Sequence, residues 1–165
     1  SSSSEGLISF VQSYRSLTHI AAPVRKAFYL RDLVNDSVTI AQANWPSARV
    51  SYHELSEDII LYADYGQISQ VMNNLIKNAV QAGASDIDIT ASIDKRERTV
   101  INVANNGEPI SETGREQIFV PFYTTKGVSG TGVGLSLCRQ IIRLNGGTIN
   151  LTSSTLEATV FTIVL

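Results

Sequence analysis

The spacing of apolar residues changes several times along this chain, and each change predicts a different element. Apolar positions recur every three or four residues over 30–44, 66–82 and 132–144, which indicates three helices that each bury one face. They alternate with polar positions over 87–93 and 100–104, which indicates two half-buried strands joined by a polar hairpin turn. Shorter segments over 50–55, 59–63, 148–152 and 159–165 predict four further strands.

The first part of the chain predicts one more helix, with a narrow apolar stripe that needs a partner. Coiled-coil or bundle packing and docking on its own domain are both open to this helix, whose stripe is Leu7, Phe10, Val11, Tyr14 and Leu17. Ala22-Pro23 ends it and opens an extended linker. We therefore divide the chain into a helix over 1–22, a linker over 23–29 and a globular domain over 30–165. The serine-rich start is typical of a segment cut from a longer protein.

The predicted strands and helices are mixed but do not alternate regularly, which favours an α/β sandwich with one mixed sheet and its helices on one face. The chain has 165 residues, of which 43% are hydrophobic and 17% charged, as in soluble globular domains. A net charge of −2 without a Lys/Arg-rich segment argues against nucleic acid or direct membrane contact. We find no bilayer-spanning apolar segment and no signal-like N-terminus, so we expect a cytoplasmic domain. Cys138, the single cysteine, lies among apolar residues and is expected to be buried.

Two groups of residues point to phosphate and metal chemistry. Gly130, Gly132 and Gly134 lead into a helix, where close backbone approach and unpaired N–H groups would suit a phosphate. Alone, such glycines are as typical of a turn or helix cap, and neither a P-loop nor a dinucleotide-binding turn is complete here. The carboxamides Asn74, Asn78 and Gln81 share one edge of the helix over 66–82. They would suit Mg²⁺ that already carries phosphates, or simply bond to the backbone.

A long loop over 105–131 contains Lys126, which is either a solvated charge or a group that reaches a terminal phosphate. With this loop, four segments resemble in order and spacing the N, G1, F and G2 boxes of the catalytic and ATP-binding domain of sensor histidine kinases. The segments are 74–79 (NLIKNA), 105–107 (NNG), 119–126 (FVPFYTTK) and 130–135 (GTGVGL). That domain belongs to the ATPase superfamily shared with gyrase, chaperone and mismatch-repair ATPases. The resemblance covers roughly 30–165 and implies the Bergerat fold, an α+β sandwich with a mostly antiparallel sheet. The leading helix resembles the end of the second dimerisation helix of such kinases.

The resemblance implies a role for each matching residue. Asn78 would hold Mg²⁺, Asn74 would lie near the phosphates of ATP, and Asn74 and Lys126 would be the catalytic residues. Asn105 would contact the adenine amino group, with Gly107 giving the base room. A lid over 111–131 would close on the nucleotide. The remaining predicted nucleotide-binding residues are Gln81, Ile110, Tyr123, Thr124, Thr125, Lys126, Gly130, Thr131, Gly132, Val133, Gly134, Leu135 and Thr159.

This chain departs from the family pattern at the adenine-reading position. The usual aspartate is Asn105, and the second glycine of that box is Pro109. An asparagine still accepts through its carbonyl but loses the charge-assisted part of the bond, so we expect binding weaker by about 1 kcal/mol. Neither His19 nor His53 lies in a phosphoacceptor-like context.

The leading hypothesis is transfer of the γ-phosphoryl group of Mg-ATP to a histidine on a dimerisation domain outside this chain, leaving ADP. The expected partners are that phosphoacceptor domain, as a homodimer of the longer protein, and a response regulator receiver domain. ATP hydrolysis is a second hypothesis, although Asn74 stands where the gyrase and chaperone pattern has a water-activating glutamate. Two functions without catalysis also stay open: a degenerate nucleotide-binding or protein-binding regulatory module, and a non-nucleotide dimerisation module.

Overall fold

The computed structural model describes residues 6–8, 11, 12, 15, 19–121 and 134–165, and those before residue 19 are helical. The helices that follow are α1 (Leu30–Asn44), α2 (Tyr65–Gln81), α3 (Glu112–Arg115) and α4 (Gly134–Leu144). The strands are β1 (Lys26–Tyr29), β2 (Arg49–Glu54), β3 (Ile60–Ala63), β4 (Asp86–Ile93), β5 (Thr99–Asn105), β6 (Thr148–Ser154) and β7 (Thr159–Val164). Among the described residues, no helix combines the length and apolarity that a bilayer span needs.

The main sheet has the strand order β2-β4-β5-β7-β6. Strands β2 and β4 pair in parallel, and the other neighbouring pairs are antiparallel. Helices α1, α2 and α4 form a second layer, with α2 between the other two. The predicted fold, an α+β sandwich with a mixed and mostly antiparallel sheet, is therefore confirmed.

Burial alternates along the central strands and shows which face of the sheet the helices cover. In β4, Ile87, Ile89 and Ala91 are buried, whereas Asp88 between them is exposed. In β7, Phe161 and Ile163 are buried on the same face. Burying a large apolar side chain stabilises a fold by about 1.5–3 kcal/mol, so this single face holds most of the folding energy of the sheet.

Helix α2 is the central helix, and its sequence accounts for both its start and its orientation. It begins at Asp64, whose side chain accepts a hydrogen bond from the Gln67 N–H at 3.1 Å. Its buried stripe faces the core and consists of Ile68, Val71, Met72, Leu75, Ile76 and Ala79. Asn74 and Asn78 lie at the edge of that stripe and are half-buried. The helix therefore presents two carboxamides one turn apart at the border of the core.

One strand lies where the sequence predicts only extended linker. Strand β1 occupies part of the segment 23–29 and pairs with β3 in a separate two-stranded sheet. It is held by contacts with residues distant in sequence, including the edge-on packing of Phe28 against Tyr65 with ring centroids 5.0 Å apart. The boundaries proposed at residues 22 and 29 stay a prediction.

Candidate functional site

The C-terminal end of α2 lies against the loop that follows β5. The Glu108 N–H donates to the Ala82 carbonyl oxygen at 2.8 Å. A Cβ atom at Gly107 would lie 2.8 Å from that same oxygen, so only glycine fits without a shift of the backbone. This close approach brings the segment 105–107 next to the helix that carries Asn74 and Asn78.

Asn105 is the last residue of β5 and points into the protein. It is 5% exposed, and its Oδ1 accepts a hydrogen bond from the Gly107 N–H at 2.9 Å. A carbonyl oxygen has two lone pairs, so one remains for a ligand. The next residue points outwards: Asn106 Oδ1 accepts from the Ser85 and Asp86 N–H groups at 2.9 and 3.0 Å. One asparagine therefore fastens the loop, and its neighbour faces the interior.

Asn105 is the first of three buried polar residues that lie side by side on the neighbouring strands β5, β7 and β6. Thr159 of β7 pairs with Asn105 on one side and with Ser154 of β6 on the other. Thr159 is 3% and Ser154 2% exposed, and their hydroxyl oxygens are 2.7 Å apart. Ser154 Oγ also accepts from the Ile110 N–H at 2.8 Å. The helix-facing side of the sheet therefore becomes polar at this end, where the resemblance predicts the adenine base.

Helix α4, which begins at Gly134 and Leu135, packs beside α2. Cys138 lies in this interface with its Sγ 3.9 Å from the Val71 carbonyl oxygen. Burial raises the pKa of the Cys138 thiol to about 12, and a hydrogen bond from the Asn74 side chain opposes that rise only in part. The expectation of a buried cysteine is thus confirmed, and Asn74 lies against the helix that follows the glycine-rich segment.

The described residues include part of the predicted nucleotide site. Asn105, Gly107, Ile110 and Thr159 lie at one end of the sheet, beside the C-terminal end of α2. Gln81 is the last residue of α2 and is exposed. Asn74 and Asn78 lie on α2, and Gly134 and Leu135 begin α4. The remaining predicted residues lie outside the described ranges, and their roles stay predictions: Tyr123, Thr124, Thr125, Lys126, Gly130, Thr131, Gly132 and Val133.

The carboxamide oxygens of α2 suit a metal ion only when a phosphate-bearing ligand supplies further oxygen atoms. Among the described residues, no group of three or more His, Cys, Asp and Glu side chains could hold a metal. Carboxamide oxygens are neutral, and Mg²⁺ usually keeps waters and substrate phosphates beside one or two protein ligands. The half-buried Asn78 therefore fits Mg²⁺ that arrives with a polyphosphate.

A second polar cluster, which sequence reasoning missed, lies at the opposite end of α2. We name Asp64, Gln67 and Asn145 the α2–α4 joint. Asn145 is 5% exposed, its Oδ1 accepts from the Asp64 N–H at 2.9 Å, and its Nδ2 donates to Gln67 Oε1 at 3.0 Å. Gln67 Nε2 donates to the Ala21 carbonyl at 2.7 Å, and the Val24 N–H donates to Asp64 Oδ2 at 2.9 Å. The joint therefore connects both helices to the chain that enters the domain.

Ser154 and Arg115 were also missed. The Arg115 guanidinium donates to the Ser154 carbonyl oxygen and, through Nε at 3.3 Å, to the Ile110 carbonyl oxygen. Together with the Ile110 N–H bond to Ser154, these contacts fasten the segment 110–115 to β6. A serine at the end of a strand and an arginine at the end of a short helix give no sequence signal for such a contact.

Comparison with known proteins agrees with this geometry. Residues 63–165 match the family described as histidine kinase-, DNA gyrase B-, and HSP90-like ATPase. The match covers more than half of the chain, so the chain belongs to this ATPase family.

The similar proteins place the chain within one branch of that family. Sensor histidine kinase ZraS of Escherichia coli (strain K12) is 32% identical over 150 residues, which are 88% of this chain and 31% of that protein. Sporulation kinase D of Bacillus subtilis (strain 168) is 31% identical over 140 residues, 82% of this chain and 28% of that protein. The chain thus spans about a third of the length of these relatives.

Solved structures lead to the same branch. The catalytic domain of histidine kinase ThkA matches with a TM-score of 0.75 and 33% identity, over 86% of this chain and 94% of that domain. ThkA in complex with the response regulator protein TrrA matches with a TM-score of 0.79 and 27% identity, over 96% of this chain and 46% of that one. The chain therefore has the ATP-binding catalytic domain of a histidine kinase, as the four boxes predicted.

Proposed function

We propose that this domain transfers the γ-phosphoryl group of Mg-ATP to a histidine on a dimerisation domain outside the described chain. The observation that carries the proposal is the buried polar end of the sheet, where Asn105 and Thr159 pair beside the C-terminal end of α2. A buried carboxamide and a buried hydroxyl suit the edge of a purine base. The nearby half-buried Asn74 and Asn78 suit its polyphosphate.

Asn78 would hold the magnesium ion through its carboxamide oxygen. When bound, Mg²⁺ would neutralise charge on the phosphates during transfer. Asn74 lies one turn earlier on α2, beside Cys138 of α4. Its side chain would thus be aimed at the phosphates from a packed interface. Positioning of this kind is the main contribution that a protein makes to phosphoryl transfer.

Lys126 and the glycine-rich segment 130–135 would also bind the phosphates. A lysine ammonium carries a fixed positive charge, and the backbone N–H groups at the start of α4 would add donors. The chemistry requires no covalent intermediate on this chain. Asn74 is a poor base for water, which favours transfer to an acceptor over ATP hydrolysis.

The acceptor and the downstream partner are part of the same proposal. The helical residues before residue 19 expose Leu7, Ile8 and Val11. A helix with apolar residues on its surface suits the end of a dimerisation helix pair. The solved complex of ThkA with TrrA supports a response regulator receiver domain as the final acceptor.

A phosphorylation assay with a matched lysine pair tests this function. The chain is incubated with γ-labelled ATP, Mg²⁺ and supplied phosphoacceptor dimerisation domains of sensor kinases. We expect acid-labile, base-stable label on the acceptor, lost in Lys126→Ala and retained in Lys77→Ala, because Lys77 is exposed on α2. Nucleotide binding without label on any acceptor would instead favour the degenerate regulatory module, and phosphate release without an acceptor would favour hydrolysis.

A further inference from the structure

Ser154 is a buried hydroxyl to which neither the resemblance nor the proposed function gives a role. Strand β6 pairs with β7 through a register shift between Leu151 and Ser153. This irregularity leaves Ser153 exposed and buries Ser154 to 2% exposure. Bulges often redirect a side chain beside a functional site. Here the redirected side chain lies next to Thr159.

The hydrogen bonds of Ser154 fix the direction of its proton. Its Oγ accepts from the Ile110 N–H at 2.8 Å, so its own proton still needs an acceptor. Among the hydrogen bonds of the described residues, the partner left for that proton is Thr159 Oγ1 at 2.7 Å. If Thr159 donated instead, the Ser154 proton would be left unpaired at a buried position, which proteins generally avoid. Ser154 therefore donates, and Thr159 accepts.

The Thr159 proton must then point away from Ser154. The neighbour of Thr159 on its other side is Asn105, across the pairing of β5 with β7. We propose that Ser154 is a positioning residue, which makes the Thr159 hydroxyl a hydrogen-bond donor towards the purine base and so sets the base selectivity of this site. This inference rests on the proposed nucleotide site.

The chemistry of purines shows why a fixed donor matters here. Ring nitrogen N1 of adenine carries no proton and accepts a hydrogen bond, whereas N1 of hypoxanthine carries one and donates. A donor at Thr159 therefore favours adenine. Asn105 adds to this preference, because its Oδ1 is held by the Gly107 N–H and accepts from a 6-amino group. The pair of hydroxyls sets the part of the selectivity that depends on N1.

The test compares the dissociation constants of ADP and inosine diphosphate, measured by calorimetry with Mg²⁺. We expect the unsubstituted chain to prefer ADP, and Ser154→Ala to reduce that preference about two- to tenfold, the value of one hydrogen bond. Ser153→Ala is the matched control, because Ser153 is the adjacent exposed serine, and its preference should be unchanged. We expect Thr159→Val to lose the part of the preference that depends on N1, and adding Ser154→Ala should then change it no further.

The ratio of the dissociation constants of inosine diphosphate and ADP shows whether Ser154 positions Thr159 or only supports the local structure. Loosening of the Ile110 contact would weaken both nucleotides equally and leave the ratio unchanged, which would overturn the inference. Equal binding of both nucleotides by the unsubstituted chain would also overturn it, while leaving the nucleotide site intact. Binding of neither at millimolar concentration would refute the proposed function itself. If Ser154→Ala does not fold, Ser154→Cys fills the same position with a weak donor and should lower the ratio in the same direction.

Discussion

The two ends of α2 use the same kinds of polar side chain for different purposes. At the α2–α4 joint, both ends of the Asn145 carboxamide are bonded to Asp64 and Gln67. The other end of α2, its C-terminal end, lies beside Asn105 and Thr159, and we call this region the sheet end. There, Asn105 Oδ1 accepts from the Gly107 N–H and keeps one lone pair. The joint thus uses its hydrogen bonds to hold two helices together, whereas the sheet end retains capacity for a ligand. Substitutions at the joint should therefore change stability, and substitutions at the sheet end should change binding.

The largest effect that sharpens this contrast is expected at Asn145. Asn145→Ala leaves the partly buried Asp64 N–H and Gln67 Oε1 without this partner. We expect the free energy of unfolding in urea to fall by about 2–3 kcal/mol, with the dissociation constant of ADP unchanged at temperatures where the variant is folded. Asn150→Ala, at an exposed position of β6, is the control and should change neither quantity. A loss of binding as large as the loss of stability would remove the distinction between the two ends.

At the sheet end we expect a smaller effect, which is a gain in nucleotide affinity rather than a loss of stability. Asn105→Asp supplies two acceptor oxygens, one for the Gly107 N–H and one for the adenine amino group. We expect ADP to bind tighter by about 1 kcal/mol, roughly fivefold in the dissociation constant. Asn102→Asp is the control and should not change binding, because Asn102 lies on the other face of β5 and its Oδ1 already accepts from the Thr162 hydroxyl at 2.6 Å. Unchanged or weaker binding in Asn105→Asp would mean that this side chain does not read the adenine amino group.

The smallest effect is the contribution of the α2–α4 joint to the pH dependence of stability. The Val24 N–H, and then the Gln67 and Gly66 N–H groups, lower the pKa of the Asp64 carboxyl despite its partial burial. Because the folded pKa lies below the unfolded value near 4, the stabilisation is present above pH 4 and is lost as pH falls through the folded pKa. Asp64→Asn keeps an N-cap residue but should weaken the decrease in unfolding free energy as the pH falls below about 4. An unchanged acid profile in this variant would show that Asp64 does not link the joint to Val24.

The sequence predicts the elements whose signal is local. The stripe of α2 and the alternation of β4 each specify a buried face within a single segment, and both elements lie where they were predicted. Strand β1 has no such signal, because its four residues are stabilised by pairing with β3 and by the contact of Phe28 with Tyr65. Propensity and periodicity cannot report a contact between distant segments.

The candidate site shows the same division. The resemblance predicts Asn105 and Gly107 from the box at 105–107, and it also implies a place in the adenine pocket for Thr159, which lies outside the four boxes. The structure brings the three residues to one end of the sheet. Ser154 is not predictable, because a register shift in β6 decides which serine faces inwards. Asn145 forms hydrogen bonds with Gln67 and Asp64, which precede it in the sequence by 78 and 81 positions. No spacing rule connects such distant residues.

The central claim is that α2 presents a magnesium-dependent nucleotide site through Asn78. Isothermal titration calorimetry with a non-hydrolysable ATP analogue, with and without Mg²⁺, tests it most directly. We expect binding that requires Mg²⁺ and is lost in Asn78→Ala, but retained in Asn73→Ala, a half-buried asparagine elsewhere on the same helix. Equal binding with and without Mg²⁺ in all three proteins, or no binding at millimolar nucleotide, would contradict the account.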